Sequence, residues 1–117
     1  MAAVNKYHAK RCKDGKGRWH ASLAERKRCW ELEMLEKAGE IRDLKRQVRH
    51  ELLPAQRDNR GKLLERSVYY VSDFEYIDNR TGECVVEDVK GKRTADYIIK
   101  RKLMLWIYKI RIKEVKM

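Results

Sequence analysis

Long apolar runs are missing from this 117-residue chain. The longest, Leu103 to Tyr108, falls far short of the roughly 20 residues that a helix needs to cross a bilayer. The segment from Met1 to Lys13 carries charge but no apolar stretch of signal-peptide type, so a secretory leader is not expected. Cysteine is scarce. Cys12, Cys29 and Cys84 are odd in number, widely spaced and without a CxxC, which fits neither a disulfide framework nor a zinc site. His8, His20 and His50 are scattered and suggest no Cys/His metal cluster. The thiols therefore read as reduced and the chain as intracellular. Glycine period, heptad run, biased tract and internal repeat are all lacking, which excludes collagen, coiled-coil and low-complexity classes. The length holds one core, and 43% hydrophobic residues suffice to fill it.

What the chain has in excess is positive charge. It carries 29 Lys+Arg against 18 Asp+Glu, a net +11, with a pI near 9.7. The excess lies at the two ends, with +5 over residues 1–20 and +8 over 90–117, while 21–89 is slightly acidic at −2. A domain of this size does not need so much charge for solubility. The natural partner is a polyanion, whose phosphates release counterions when neutralised, so the charge points to nucleic acid.

Residues 1–20 read as an irregular basic arm with a turn at Asp14-Gly15-Lys16-Gly17, and 21–117 as one domain. Ser22 begins a helix whose apolar face is expected to be Leu23, Ala24, Trp30, Met34, Leu35 and Ala38, and Gly39 ends it. An extended segment from Gln47 to Leu53 stops at Pro54, and a loop covers 55–62. Leu63 to Ile77, rich in Val, Tyr, Phe and Ile, predicts a strand. Asn79 to Gly82 predicts a hairpin loop, and Glu83 to Lys90 the next strand. Thr94 caps a second helix with Ala95, Ile98, Ile99, Lys102 and Leu103 on one face. The alternation from Trp106 to Val115 predicts a last strand, apolar on one face and basic on the other. The predicted order is αβββαβ.

The hairpin permits a register. A four-residue loop sets Asp78 opposite Glu83 and therefore Asp73 opposite Asp88, with Lys90 on the same face. Two facing acids repel in a purely structural sheet, and a divalent cation removes that objection, because Mg²⁺ takes carboxylate oxygens and substrate phosphate together. The competing reading is ordinary polar residues near a strand end, with Lys90 neutralising Asp88. A one-residue slip would destroy the cluster. Ser22-Leu23-Ala24-Glu25 fits a helix capping box, which gives Glu25 a structural explanation of its own.

Val71-Ser72-Asp73-Phe74 followed by Val86-Glu87-Asp88-Val89-Lys90-Gly91 resembles the PD-(D/E)XK nuclease signature. The chain is most similar to a family of small phage and prophage proteins of that superfamily. The likeness extends through Asn5 to Lys10, Ala24-Glu25, Leu35 to Ile41 and Ile110 to Val115. Ser72 replaces the signature's proline, at a position that varies in the superfamily. The resemblance implies a restriction-endonuclease-like α/β core and an active-site set of Glu25, Asp73, Asp88 and Lys90. Asp73 and Asp88, with Glu25 direct or through water, would hold Mg²⁺ or Mn²⁺. Gln47 resembles a family glutamine, with a site role and a structural hydrogen bond both open. Lys92, Arg93 and Thr94, at a helix start just beyond the site, are expected to meet a phosphate. Lys6, Tyr7, Lys10 and Arg11 are expected to track a neighbouring DNA backbone.

The expected activity is metal-dependent DNA hydrolysis in the cytoplasm of a bacterial host. Branched DNA such as a Holliday junction is the first expected substrate, by analogy with phage junction-resolving enzymes. Two symmetric cuts then require a homodimer, through the Trp30–Met34 helix face, the last strand or an exchanged N-terminal arm. A non-specific or nicking nuclease is the alternative within the class. A silent DNA- or RNA-binding module and an accessory protein are the alternatives outside it.

Overall fold

In the computed structural model, which describes residues 12–13, 19–20 and 22–116, two short strands precede the first helix. They are β1 (Cys12–Lys13) and β2 (Trp19–His20), paired antiparallel, so these four residues depart from the expected irregular arm. The Asp14–Gly17 turn and Lys6, Tyr7, Lys10 and Arg11 lie outside the described residues. Helix α1 (Leu23–Lys37) starts at Ser22, whose Oγ accepts from the Glu25 N–H at 3.1 Å. That contact satisfies one of the helix's orphan donors. Gly39, at φ 79°, follows the helix end as expected.

Seven strands come next: β3 (Ile41–Arg46), β4 (Arg49–Leu53), β5 (Gln56–Arg57), β6 (Leu63–Glu65), β7 (Val68–Val71), β8 (Phe74–Asp78) and β9 (Cys84–Lys90). Helix α2 (Ala95–Tyr108) and β10 (Lys113–Lys116) complete the domain. The central sheet is mixed, in the order β10-β9-β8-β3. β8 runs antiparallel to both β3 and β9, and β10 lies parallel to β9, so α2 is the crossover that a parallel pair requires. Taken with the helices, these four strands have the order αβββαβ, but the first of them is β3, whereas the expected strand at Gln47–Leu53 is β4, outside the central sheet. The remaining strands form a hairpin arm, β4 on β7 and β5 on β6, inserted between β3 and β8.

The sheet separates two apolar clusters. Cys29, Leu32, Ile41, Phe74 and Tyr76 pack with α1, and Leu52, Tyr70, Val86, Tyr97, Met104 and Ile112 pack with α2. Strand alternation explains the division on β9, where Val85 joins the α1 cluster and Val86 the α2 cluster.

Several expectations are corrected. The predicted strand from Leu63 to Ile77 is three strands, because the chain changes partner twice along it: β6 pairs with β5, β7 with β4, and β8 with β3 and β9. β-propensity is high throughout and does not register such exchanges. The loop at 55–62 contains β5, and β3 lies in a stretch that carried no predicted element. α1 buries Glu25, Cys29 and Leu32, whereas Trp30 is 63% exposed and Leu23 and Met34 are also exposed. Helical spacing marks possible stripes, and packing on the sheet selects the one that includes an acid. On α2 the inward residues are Tyr97 and Met104, with Ile98 and Leu103 half-buried, while Ala95, Ile99 and Lys102 face outward. The predicted strand from Trp106 is the last turn of α2, which ends in left-handed Lys109 at φ 59°. Among the described residues after α2, the strand is Lys113–Lys116. Among the described residues no helix is long and apolar enough to cross a membrane.

Candidate active site

The β8–β9 turn sets the geometry. Phe74 faces Glu87, Ile77 faces Cys84, and the Asp78 N–H donates to the Glu83 carbonyl at 2.9 Å. This is the register expected from sequence, and the pairing ends at Phe74 and Glu87, one residue short of the expected Asp73–Asp88 pair. Asp73 itself sits in a bend just before β8, where its N–H donates to the Glu87 carbonyl at 3.1 Å. Its Oδ2 accepts from the Val89 N–H at 2.7 Å. Asp88 is buried; its Oδ2 accepts from the Tyr70 hydroxyl at 2.7 Å and its Oδ1 lies 3.1 Å from Lys90 Nζ. Lys90 Nζ also stands 3.9 Å above the Tyr97 ring, a cation–π contact that holds the ammonium beside the acids.

Glu25 enters from the first turn of α1 and is buried. Its Oε1 accepts from Gln47 Nε2 at 3.2 Å. Gln47 adopts the left-handed φ of 54°, which costs about 1–2 kcal/mol in a residue with a Cβ. Its N–H donates to the Asp73 carbonyl at 3.2 Å. Gln47 thus ties Glu25 to the segment carrying Asp73.

The electrostatics show that the acids act on one another. Burial, then the charges of Glu25 and Asp88, push the Asp73 carboxyl up to about 8, against the opposing pull of the Val89 N–H and Lys90. Burial and the Asp88 charge hold the Tyr70 phenol far above its ordinary range, so it remains a donor. Among the described residues no group of three or more His, Cys, Asp or Glu side chains forms a ready-made metal cage. The donors are all carboxylates, with one acid driven toward protonation by burial and then by its neighbours. That set fits a hard cation bound through one or two carboxylates, waters and substrate phosphate.

Lys90, Lys92 and Arg93 line a cavity of about 550 Å³ together with Gly91, Glu114 and Lys116. Two of the residues expected to contact DNA there are engaged within the protein. Thr94 Oγ1 caps α2 by accepting from the Tyr97 N–H at 3.2 Å, and Arg93 pairs with Glu114 at 2.6 Å. Glu114 stands beside Asp88 across the parallel strands and also accepts from the Tyr97 hydroxyl at 2.7 Å and Arg101 at 3.2 Å. Arg93 first, then Tyr97, holds its carboxyl down at about 2. A carboxyl lowered on folding stabilises above its ordinary value near 4.5 and loses that contribution as pH falls toward 2. Glu114→Gln should therefore melt several degrees lower than wild type at neutral pH, and the gap should close as pH falls from about 4.5 to about 2. Thermal melts at neutral and acid pH would check this, and a gap independent of pH would refute it.

Behind the site, on the α1 side of β9, Glu87 is fully buried. Arg28 grips it with a two-bond fork, Nε to Oε1 and Nη2 to Oε2, each 2.8 Å, and the Tyr76 hydroxyl donates to Oε2. The Arg28 guanidinium is raised further by its bond to Glu87. Sequence reasoning missed Arg28, Tyr70, Glu87, Tyr97 and Glu114 as parts of the site. Only Glu87 left a signal, as an acid between apolar residues of a strand in need of a cation.

No curated protein and no solved structure matches the chain. A family model described as "Protein of unknown function (DUF1064)" matches residues 4–117, and the chain belongs to that family.

Proposed function

We propose that the chain is a divalent-metal-dependent DNA endonuclease with a PD-(D/E)XK core, acting on branched DNA in the cytoplasm of a phage-infected bacterium. The observation that carries this reading is that the charges of Glu25 and Asp88 both act on the Asp73 carboxyl, while Lys90, paired with Asp88, also lines a basic cavity. A binding module has no use for mutually repelling acids buried beside a basic cavity. The order of α1, three antiparallel strands, α2 and a parallel β10 supports this reading, because a restriction-endonuclease-like core is expected to have it.

Asp73 and Asp88 would hold Mg²⁺ or Mn²⁺, with Glu25 direct or through water. The bound ion supplies Lewis-acid polarisation of the phosphate and a water of lowered pKa. Lys90, fixed by Asp88 and the Tyr97 ring, steadies negative charge developing on the phosphoryl oxygens. Tyr70 orients Asp88, and Gln47 orients Glu25. Lys92 and Arg93 flank the entering backbone, Arg93 by exchanging Glu114 for phosphate. Resolution of a four-way junction needs two such sites, so the active species is a homodimer. The exposed Trp30 and Met34 on α1 are its candidate contact surface.

The test is incubation with Mg²⁺ or with chelator on duplex, single-stranded and four-way DNA. Paired symmetric cuts in the four-way substrate, lost on chelation, are expected. Equal nicking of all duplexes would favour the non-specific nuclease, and DNA binding without cleavage under Mg²⁺ or Mn²⁺ would refute the enzymatic reading.

A further inference from the structure

Beyond Tyr70, which orients Asp88, the hairpin arm has no part in the chemistry proposed above. Its outer portion, residues 53–66, is exposed at every position. Isolated two-stranded hairpins are marginal in water, and this one carries its own polar frame. Asp58 Oδ1 accepts from the N–H groups of Arg60 and Lys62, both at 2.9 Å. Arg57 Nη1 donates to the Gly61 carbonyl at 2.8 Å, and the Gly61 N–H, at left-handed φ 84°, returns to the Asp58 carbonyl at 3.0 Å. Fixing such a shape away from any core costs conformational entropy that a plain connection avoids.

The arm's charge and attachment indicate what it meets. Arg57, Arg60, Lys62 and Arg66 stand against Asp58 and Glu65, and Asp58 is already engaged by the tip's own amides. A second copy of the arm would bring like charges together, whereas a phosphate backbone complements them. The root of the arm is the acid cluster itself. The Ser72 N–H donates to the Val48 carbonyl at 2.9 Å, and Gln47 and Asp73 are joined at 3.2 Å. Strands of this length extend roughly 25 Å, at about 3.3 Å per residue, against a DNA helical turn of about 34 Å.

We propose that the arm is a second DNA-binding element, whose cations grip phosphates most of a helical turn from the bond held at Asp73 and Asp88. Exposed Leu63 and Leu64, between those cations, lie against the apolar walls of the minor groove. The proposal rests on the DNA reading of the acid site and assigns that site a longer footprint.

The test is Arg60→Ser/Lys62→Ser/Arg66→Ser in the full chain, leaving Arg57 to brace the tip. Binding is read by fluorescence anisotropy in chelator, on duplexes of about 10 and about 30 base pairs. Affinity for the longer duplex should fall about 10-fold or more, and the slope of log affinity on log salt should flatten by about 2–3. Affinity for the shorter duplex, the single-turnover cleavage rate at saturating DNA and the melting temperature should stay at wild-type values. Arg60→Lys/Arg66→Lys should bind as wild type. Unchanged affinity and slope on the longer duplex would overturn the proposal, as would a wild-type dimer that the triple substitution dissociates. Wild type that cleaves, with affinity insensitive to the arm, refutes the arm alone. Wild type that binds through the arm but does not cleave refutes the nuclease and upholds the arm. Wild type that binds no DNA refutes both.

Discussion

Asp73→Asn is expected to lower Mg²⁺-dependent cleavage by about three orders of magnitude, the scale seen when a group that stabilises transition-state charge is removed. Asp88→Asn should do the same. The Asp73 substitution should also raise the melting temperature of the metal-free protein at alkaline pH. Folding lifts this carboxyl from 3.8 to about 8, so its favourable contribution is complete below 3.8 and is lost as pH rises through about 8. Asparagine carries no such dependence, so the stability gap should open across that window and vanish at its acid end. Metal binding must displace the same proton. Apparent Mg²⁺ affinity should therefore climb by up to about tenfold per pH unit and level off near 8. Calorimetry in buffers of different ionisation enthalpy would count the proton released. Wild-type cleavage by Asp73→Asn, or Mg²⁺ affinity indifferent to pH below 8, would remove Asp73 from the site.

Arg28→Met should be the most damaging single change to stability. Glu87 is wholly buried, and loss of its fork leaves an uncompensated charge with Lys113 Nζ only at 4.0 Å. Breaking a buried pair from one side costs about 3–5 kcal/mol. For a domain of this size that lowers the melting temperature by about 10–25 °C. Removing both charges, as Arg28→Met/Glu87→Met, should recover most of the loss, because the destabilising element is the orphaned carboxylate and not the absent bond. A double-mutant cycle by urea denaturation measures this directly. A double variant as unstable as the single would mean that the fork is not what docks α1. Cleavage by Arg28→Met should fall as well, since α1 carries Glu25 and Arg28 locks α1 to the strand bearing Asp88.

The parts of the fold legible in the sequence were those fixed by local chemistry. Ser22, Gly39 and Thr94 marked helix ends because caps are decided within a few residues. The Asn79–Gly82 turn fixed the register of β8 on β9 as far as Phe74 and Glu87 for the same reason. Partner exchange was not legible. Nothing within Leu63 to Ile77 reveals that Val68–Val71 pairs with one strand and Phe74–Asp78 with two others, because pairing is decided by residues distant in sequence. The helical turn at Trp106–Tyr108 was hidden by an alternation that a strand would also show. Asp73, Asp88 and Lys90 could be grouped from spacing. Tyr70 reaches Asp88, and Gln47 reaches Glu25, from the two sides of a hairpin whose pairing is set by residues distant in sequence.

Direct pairing of β3 with β8 has a consequence for how such a domain can diversify. The segment from Val48 to Ser72 leaves the central sheet and returns to it at adjacent points. In topological terms it is an excursion from a continuous framework. Leu52 and Tyr70 anchor its base in the core, but residues 53–66 contribute nothing to the sheet's register. Lengthening, shortening or replacing that outer stretch leaves the acids where they are. Variation among related chains should therefore concentrate in that excursion while the bend at Asp73 stays fixed in length.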